Sequence, residues 1–174
     1  QTASSHVTTM THSPGIGVLS TTDAAGIKTS YTYDNGGRLA SVVNTQGQTT
    51  DEYSYNLLNS GNNLLSATHY TYTDFGKSSS YRDVSWWNAL GLKLEDIAVA
   101  ASGTGNNDLV TAYESDYMLH DDVHTWLPYP ASSGTAGSFR SNAASASASH
   151  HGSTAAYSGR TYEESSRDRV LKTT

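Results

Sequence analysis

An Asp or Asn stands three positions ahead of a glycine in residues 23–26, 34–37 and 44–47, and the three glycines fall 11 and 10 residues apart. At the first position of a type I turn, an Asp or Asn side chain caps the turn's own N–H groups. A glycine at the end takes the positive φ required there. Turns this closely spaced leave room only for short strands. Between them run residues 27–33, 38–43 and 49–55, in which Tyr31/Tyr33, Leu39/Val42 and Tyr53/Tyr55 alternate with polar residues. That pattern suits half-buried strands, and strands joined in sequence by tight turns form a β-meander.

The theme continues less regularly. Tyr70, Tyr72, Asp74 and Gly76 repeat the order of Tyr31, Tyr33, Asp34 and Gly37. Residues 84–94 read as strand, Asn88-to-Gly91 turn, strand. Residues 101–108 are a loop, and 109–113 and 123–127 are further strands that Pro128 and Pro130 terminate. Composition divides the chain into an N-terminal arm or strand (1–17), a meander (18–60) and a divergent second β-region (61–130). A Ser/Ala/Gly-rich loop or linker (131–156) and a C-terminal hairpin or strand (157–174) follow. The fold class is all-β: antiparallel hairpins in a curved sheet, sandwich or shell segment with exposed edges. Tyr outnumbers Phe by 12 to 2, which predicts thin cores, since the phenol keeps one end near water or a polar partner.

Residues 31–42, Tyr-Thr-Tyr-Asp-Asn-Gly-Gly-Arg-Leu-Ala-Ser-Val, with Gly47 ten residues beyond Gly37, resemble the YD or RHS repeat. Its motif positions fall on Tyr31, Tyr33, Asp34, Gly37, Arg38, Leu39 and Gly47. Residues 84–94 with Ile97 and 108–111 resemble a segment of RHS proteins of Bacteroidetes-type bacteria. So do 125–131 (Thr-Trp-Leu-Pro-Tyr-Pro-Ala) and 162–172. The turn at 88–91 lacks the repeat's Asp and Arg, and His120-Asp121 replaces an expected Gly-Arg turn. The resemblance implies an exported protein, secreted or on the bacterial cell surface. Its strands would wind into a shell around a toxin or an extended β-structure, often associated with carbohydrate.

Several residues could carry chemistry. His120 and His124 share a face on either a helix or a strand, but no third ligand is signalled, so a solvated turn is the simpler reading and a metal site the weaker one. Trp86, Trp87, Trp126 and Tyr129 could stack on sugar faces, or pack in cross-strand ladders. A glycosidase would need two carboxyls roughly 5–10 Å apart across a cleft. Glu95-Asp96, Glu114 and the other carboxylates alternate with apolar residues and read as the outer face of a sheet. No G-x-S-x-G elbow, phosphate loop or cofactor motif is present. The chain therefore reads as non-catalytic and without cofactor.

The net charge of −6 and the absence of a basic run argue against a nucleic-acid partner. Cys is absent, which removes disulfides and thiolate metal sites, and no apolar run is long enough to span a membrane. Ser/Thr clusters such as Thr8-Thr9 and 78–80 are candidates for O-linked glycan, while no Asn-x-Ser/Thr sequon exists. A start at Gln1, without a signal peptide, reads as a processed chain or a piece of a longer one. Hairpins that cannot bury their own faces need neighbours. The expected partner is therefore a second copy, joined by β-strand pairing into a fibril or filament.

Overall fold

The computed structural model describes residues 8–56, 64–100, 107–116, 121–131, 136–152, 157–162 and 170–173. Val7 and the 101–106 loop lie outside these residues. The chain is all-β with one short helix and divides into two units, residues 1–54 with 69–81 and residues 55–68 with 82–174.

The first unit holds β1 (Thr9–Ser13), β2 (Gly17–Thr22), β3 (Lys28–Tyr33), β4 (Leu39–Val43), β5 (Thr49–Asn56) as far as Ser54, and the end of β6 (Leu64–Tyr72). Hydrogen-bonded neighbours follow chain order, and β1 to β5 pair antiparallel. The 23–26, 34–37 and 44–47 turns share one construction. In the second of them, Gly37 N–H donates to Asp34 O at 3.0 Å and Asp34 N–H to Arg38 O at 2.9 Å. Asp34 Oδ1 accepts from Gly36 N–H (2.8 Å) and Arg38 N–H (2.9 Å). Asp23 and Asn44 accept in the same two places. The Asp74 turn departs from this pattern: the positive φ (54°) falls on Lys77 rather than on Gly76.

Just past the 34–37 and 44–47 turns the register slips by one residue. Tyr33 faces Leu39 while Thr32 faces Ser41, leaving Ala40 as the extra residue of a bulge. Val43 faces Thr49 while Val42 faces Asp51, leaving Thr50. A bulge reverses the alternation of faces beyond it. Leu39 and Val42, three apart, therefore share the face of Tyr33 and Tyr31.

Ser20 is the one buried residue among the described residues of this unit, and no large apolar side chain there is buried. Its cohesion comes from the ladders and from polar pairs. These include Thr11 with Ser20 and Thr32 with Ser41 (both 2.7 Å), and Tyr33 Oη donating to Val18 O (2.7 Å). Among the described residues β1 pairs on one edge alone.

The second unit contains β7 (Ser80–Asn88) from Arg82 onward, β8 (Lys93–Val99), β9 (Asp108–Asp116), β10 (Asp121–Trp126), β11 (Tyr129–Ala131), α1 (Ala143–His151), β12 (Tyr157–Tyr162) and β13 (Val170–Thr173). Asn88 and Gly91 build the same turn, and Leu94 is the extra residue of the same bulge. β9 pairs with β8 along one edge. Along the other, its end pairs with β10 and its start with β11. β10 and β11 are thus one strand interrupted at Leu127-Pro128. The prolines do not end strand pairing as the sequence reading expected: among the described residues β11 pairs with β9 alone, so its other edge asks no N–H of Pro130. β12 continues the sheet beside β10, and β13 beside β12.

The 131–156 segment is not simply a loop: within it, α1 packs on β9, β10 and β11. Alanine has the highest helix propensity, and its small side chain permits a close approach to the sheet. Ala143 is buried, and Ser147, fully buried, donates Oγ–H to Leu127 O at 2.7 Å. Nine residues would be marginal as a free helix, so the docking holds it. The core of this unit is Val84, Ile97, Val110, Ala112, Tyr129 and Ala143.

Gly37 has φ +76 and nothing within 4 Å of where a Cβ would stand. Gly37→Ala should therefore cost only the conformational penalty, about 1–2 kcal/mol. It should appear as a lower urea midpoint with an unchanged slope.

Candidate functional site

Most of the repeat-motif residues, Tyr31 to Leu39, lie around the 34–37 turn of the first unit. Tyr31, Tyr33, Asp34 and Gly37 line one side of an open groove of about 600 Å³, with Gly15, Ile16 and Leu19 across from them. Its Tyr33 hydroxyl and Asp34 carboxyl are already engaged. The Arg38 guanidinium bonds Asp34 Oδ2 through Nε at 2.8 Å and Nη2 at 2.6 Å. Its side chain and backbone N–H hold the Asp34 carboxyl below the usual carboxylate range. Leu39 sits at the bulge and Gly47 in the next turn, where Thr45 Oγ1 exchanges hydrogen bonds with the backbone of Lys28.

Two further clusters lie on β5 and β6. His69 Nε2 is 2.8 Å from Asp51 Oδ1 and 3.3 Å from Thr71 Oγ1, and the His69 ring stacks on Tyr53. Asp51 and Thr71 meet the same ring nitrogen, so the imidazole cannot relay a proton from one to the other. Glu52 accepts from Tyr72 Oη at 2.7 Å and from Lys77 Nζ. The bond to Glu52, with some burial, pushes the Tyr72 phenol up to about 12.

The residues proposed for sugar stacking are not presented together. Tyr129 is 6% exposed and belongs to the core, so its ring is closed to a sugar; β11 turns it under α1. Trp86 donates Nε1–H to Gly137 O at 3.1 Å and packs on Phe139. Trp126 packs on Tyr157, with ring centroids 4.9 Å apart, and Trp87 is half-buried at the bulge. His124 bonds Glu114 at 2.8 Å through Nδ1, while His120 lies outside the described residues. Among the described residues no three His, Cys, Asp or Glu side chains gather as metal ligands.

The most elaborate constellation lies under the strap formed by residues 136–140, which leads into α1. Glu95 on β8 and Asp108 on β9 are 1% and 5% exposed. Asp108 Oδ2 accepts from Gly137 N–H (2.8 Å) and Arg140 Nη2 (2.9 Å), and Oδ1 accepts from Ala100 N–H (3.1 Å). Burial alone would raise the Asp108 pKa, but these donors outweigh it and hold the carboxyl below its ordinary range. Both Glu95 oxygens approach Arg140 N–H, at 3.1 and 3.2 Å. With so few donors burial dominates, and the Glu95 pKa is pushed up to about 7. Arg82 Nη2 adds a bond to Ala136 O.

The sequence reading put Glu95 on an outer face, and the structure reverses that. The available signal was parity, since Glu95, Ile97 and Val99 alternate together. Asp96 is the outer residue, bonded to Lys93, Ser85 and Tyr113. The bulge at Leu94 is what brings Lys93 and Asp96, three apart, to one face.

Two family models match the chain. One, described as a domain of unknown function (DUF6443), covers residues 63–174. The chain belongs to the DUF6443 family. The other, the RHS Repeat, matches residues 17–50 and contains the 23–26, 34–37 and 44–47 turns. The DUF6443 match contains the strap, α1 and the buried carboxylates, so this is an RHS/YD-repeat protein whose second part carries a cover of its own. No curated protein matches the chain.

A Cβ at Gly137, where φ is +76, would stand 3.0 Å from Val84 Cγ2 and 3.2 Å from Val99 Cγ2. Gly137→Ala should cost about 3 kcal/mol, more than the same change at Gly37, because overpacking adds to the backbone penalty. Paired urea titrations measure the difference. Asp108→Ala should cost about 3–5 kcal/mol by stranding the buried Arg140 charge. With its folded pKa depressed, Asp108 stabilises the fold above the unfolded carboxylate pKa, and that contribution is lost as pH falls through the folded value. Acid unfolding of the Asp108→Ala protein should be correspondingly less pH-dependent in that window.

Proposed function

We propose that this chain is a non-catalytic β-scaffold segment of an extracellular RHS-type protein, and that it self-associates by strand pairing through its open edges. The observation that carries this reading is the recurring turn at 23–26, 34–37, 44–47 and 88–91, each closed by one Asp or Asn oxygen that accepts two backbone N–H groups. A device repeated in this way builds sheet length, whereas a catalytic site needs groups that converge on a substrate. The single-layer first unit, with no buried apolar side chain among its described residues, gains most from a neighbour along an edge. β1 offers that edge, with Met10 60% exposed beside it. The two buried carboxylates, Glu95 and Asp108, are occupied by backbone N–H groups and Arg140, which supports a structural role for them.

Electron microscopy and light scattering of the purified chain test the reading. The wild type should form filaments or strand-paired oligomers. Thr11→Pro, which removes an N–H from β1, should reduce them to smaller species. A chain that stays monomeric at all concentrations would end the self-assembly reading. Stabilisation of such a monomer on fusion to adjoining RHS hairpins would favour a segment of a larger enclosing shell instead.

A further inference from the structure

Glu95 is the most deeply buried ionisable side chain described in the second unit, and it sits where the 136–140 strap, which leads into α1, meets the sheet. Four sheet side chains hold the strap: Asp108 through Gly137 N–H and Arg140, Trp86 through Gly137 O, Arg82 through Ala136 O, and Glu95 through Arg140 N–H. Three of these contacts keep the same character across the range near neutral pH, involving an arginine, an indole and a carboxylate held ionised. The fourth does not. The Arg140 guanidinium bonds Asp108 and Ser138 O, and that of Arg82 bonds Ala136 O; neither bonds Glu95. Glu95 therefore keeps its charge in a closed site against a single backbone N–H, an arrangement in which the neutral carboxyl is the more stable occupant.

We propose that Glu95 is a proton-operated latch on the strap and α1: the neutral carboxyl seats them over the sheet. Loss of its proton loosens them and uncovers Val84, Ile97, Val110 and Tyr129. Other charged groups stand on the surrounding elements. On β7, Arg82 bonds Ala136 O. On β9, Asp108 is already ionised, and Glu114 pairs with His124 of β10 away from the strap. On β11, burial raises the Tyr129 hydroxyl pKa above its ordinary value, so it remains neutral. His150 and His151 at the end of α1 are exposed, and His151 bonds Pro128 O. The sign follows from linkage: the closed form binds the Glu95 proton more tightly than the open form, so closure weakens as pH rises from the open-form value toward about 7. Asp108 acts in the opposite direction, and only in acid.

Hydrogen exchange of the full chain, corrected for intrinsic rates, tests the latch. Opening of residues 136–147 should rise about 70-fold between pH 5 and pH 8, with the amides of β3 and β4 as an internal reference. Glu95→Gln should flatten the rise while leaving the reference amides unchanged. Should that variant fail to fold, carbon-detected NMR titration of the Glu95 carboxyl in the wild type decides the matter. Titration near neutral pH supports the latch. A strap whose opening is independent of pH overturns it, as does a Glu95→Gln protein that keeps the rise or a Glu95 carboxyl that titrates near 4.5. None of these readings depends on whether the chain assembles.

Discussion

One side-chain oxygen accepting two backbone N–H groups, two and four residues ahead of it, recurs at Asp23, Asp34, Asn44 and Asn88. The bond pair commits the chain to a tight reversal whether or not the flanking strands can bury anything. That matters most in the first unit, where the described strands have little buried apolar surface to offer in exchange for the entropy of ordering them. Short strands with closed turns, hydroxyl pairs and ring stacks are the means left to such a sheet. The same turn at Asn88 feeds a different economy in the second unit, where Val84, Ile97, Val110 and Tyr129 make a conventional apolar centre under α1.

The cover of that centre is built from small residues. Alanine and serine allow the α1 backbone to lie close to β9 to β11, and Gly137 allows the strap to pass against Val84 and Val99. Closeness has an electrostatic consequence. The strap brings its own backbone N–H groups and Arg140 down onto Glu95 and Asp108 and excludes water that would otherwise solvate them. Two carboxyls only a few residues from one another on adjacent strands are thereby driven in opposite directions, Asp108 downward and Glu95 upward. The difference lies in the number of donors each receives.

Much of the first unit was legible because its signals are local. The Asx and glycine spacing placed β3, β4 and β5 nearly to the residue, and the Tyr31 to Leu39 motif led to the RHS Repeat match. What escaped was decided by contacts distant in sequence. A Ser/Ala run carries no amphipathic pattern, so nothing within residues 131–156 announces that α1 docks on β9. Glu95 beside Asp96 looks like a solvated pair until Ile97 and Val99 are seen to share its face. Tyr129 reads equally as a sugar-stacking ring or a ladder ring, and its pairing with Val110 and its burial place it in the core. Pro130 misled for a related reason: a proline forbids an interior strand but not one whose open side needs no donor.

The bulge that follows the turns at Gly37, Gly47 and Gly91 always adds its extra residue three positions on, at Ala40, Thr50 and Leu94. Each of these three hairpins thus carries an offset of one residue that the hairpin at 23–26 lacks. Spacings of 11 and of 10 between successive turn glycines are accommodated without turning a later strand inside out. A hairpin with this built-in offset behaves as a cassette: adding or removing one alters the width of the sheet but not the facing of the strands on either side.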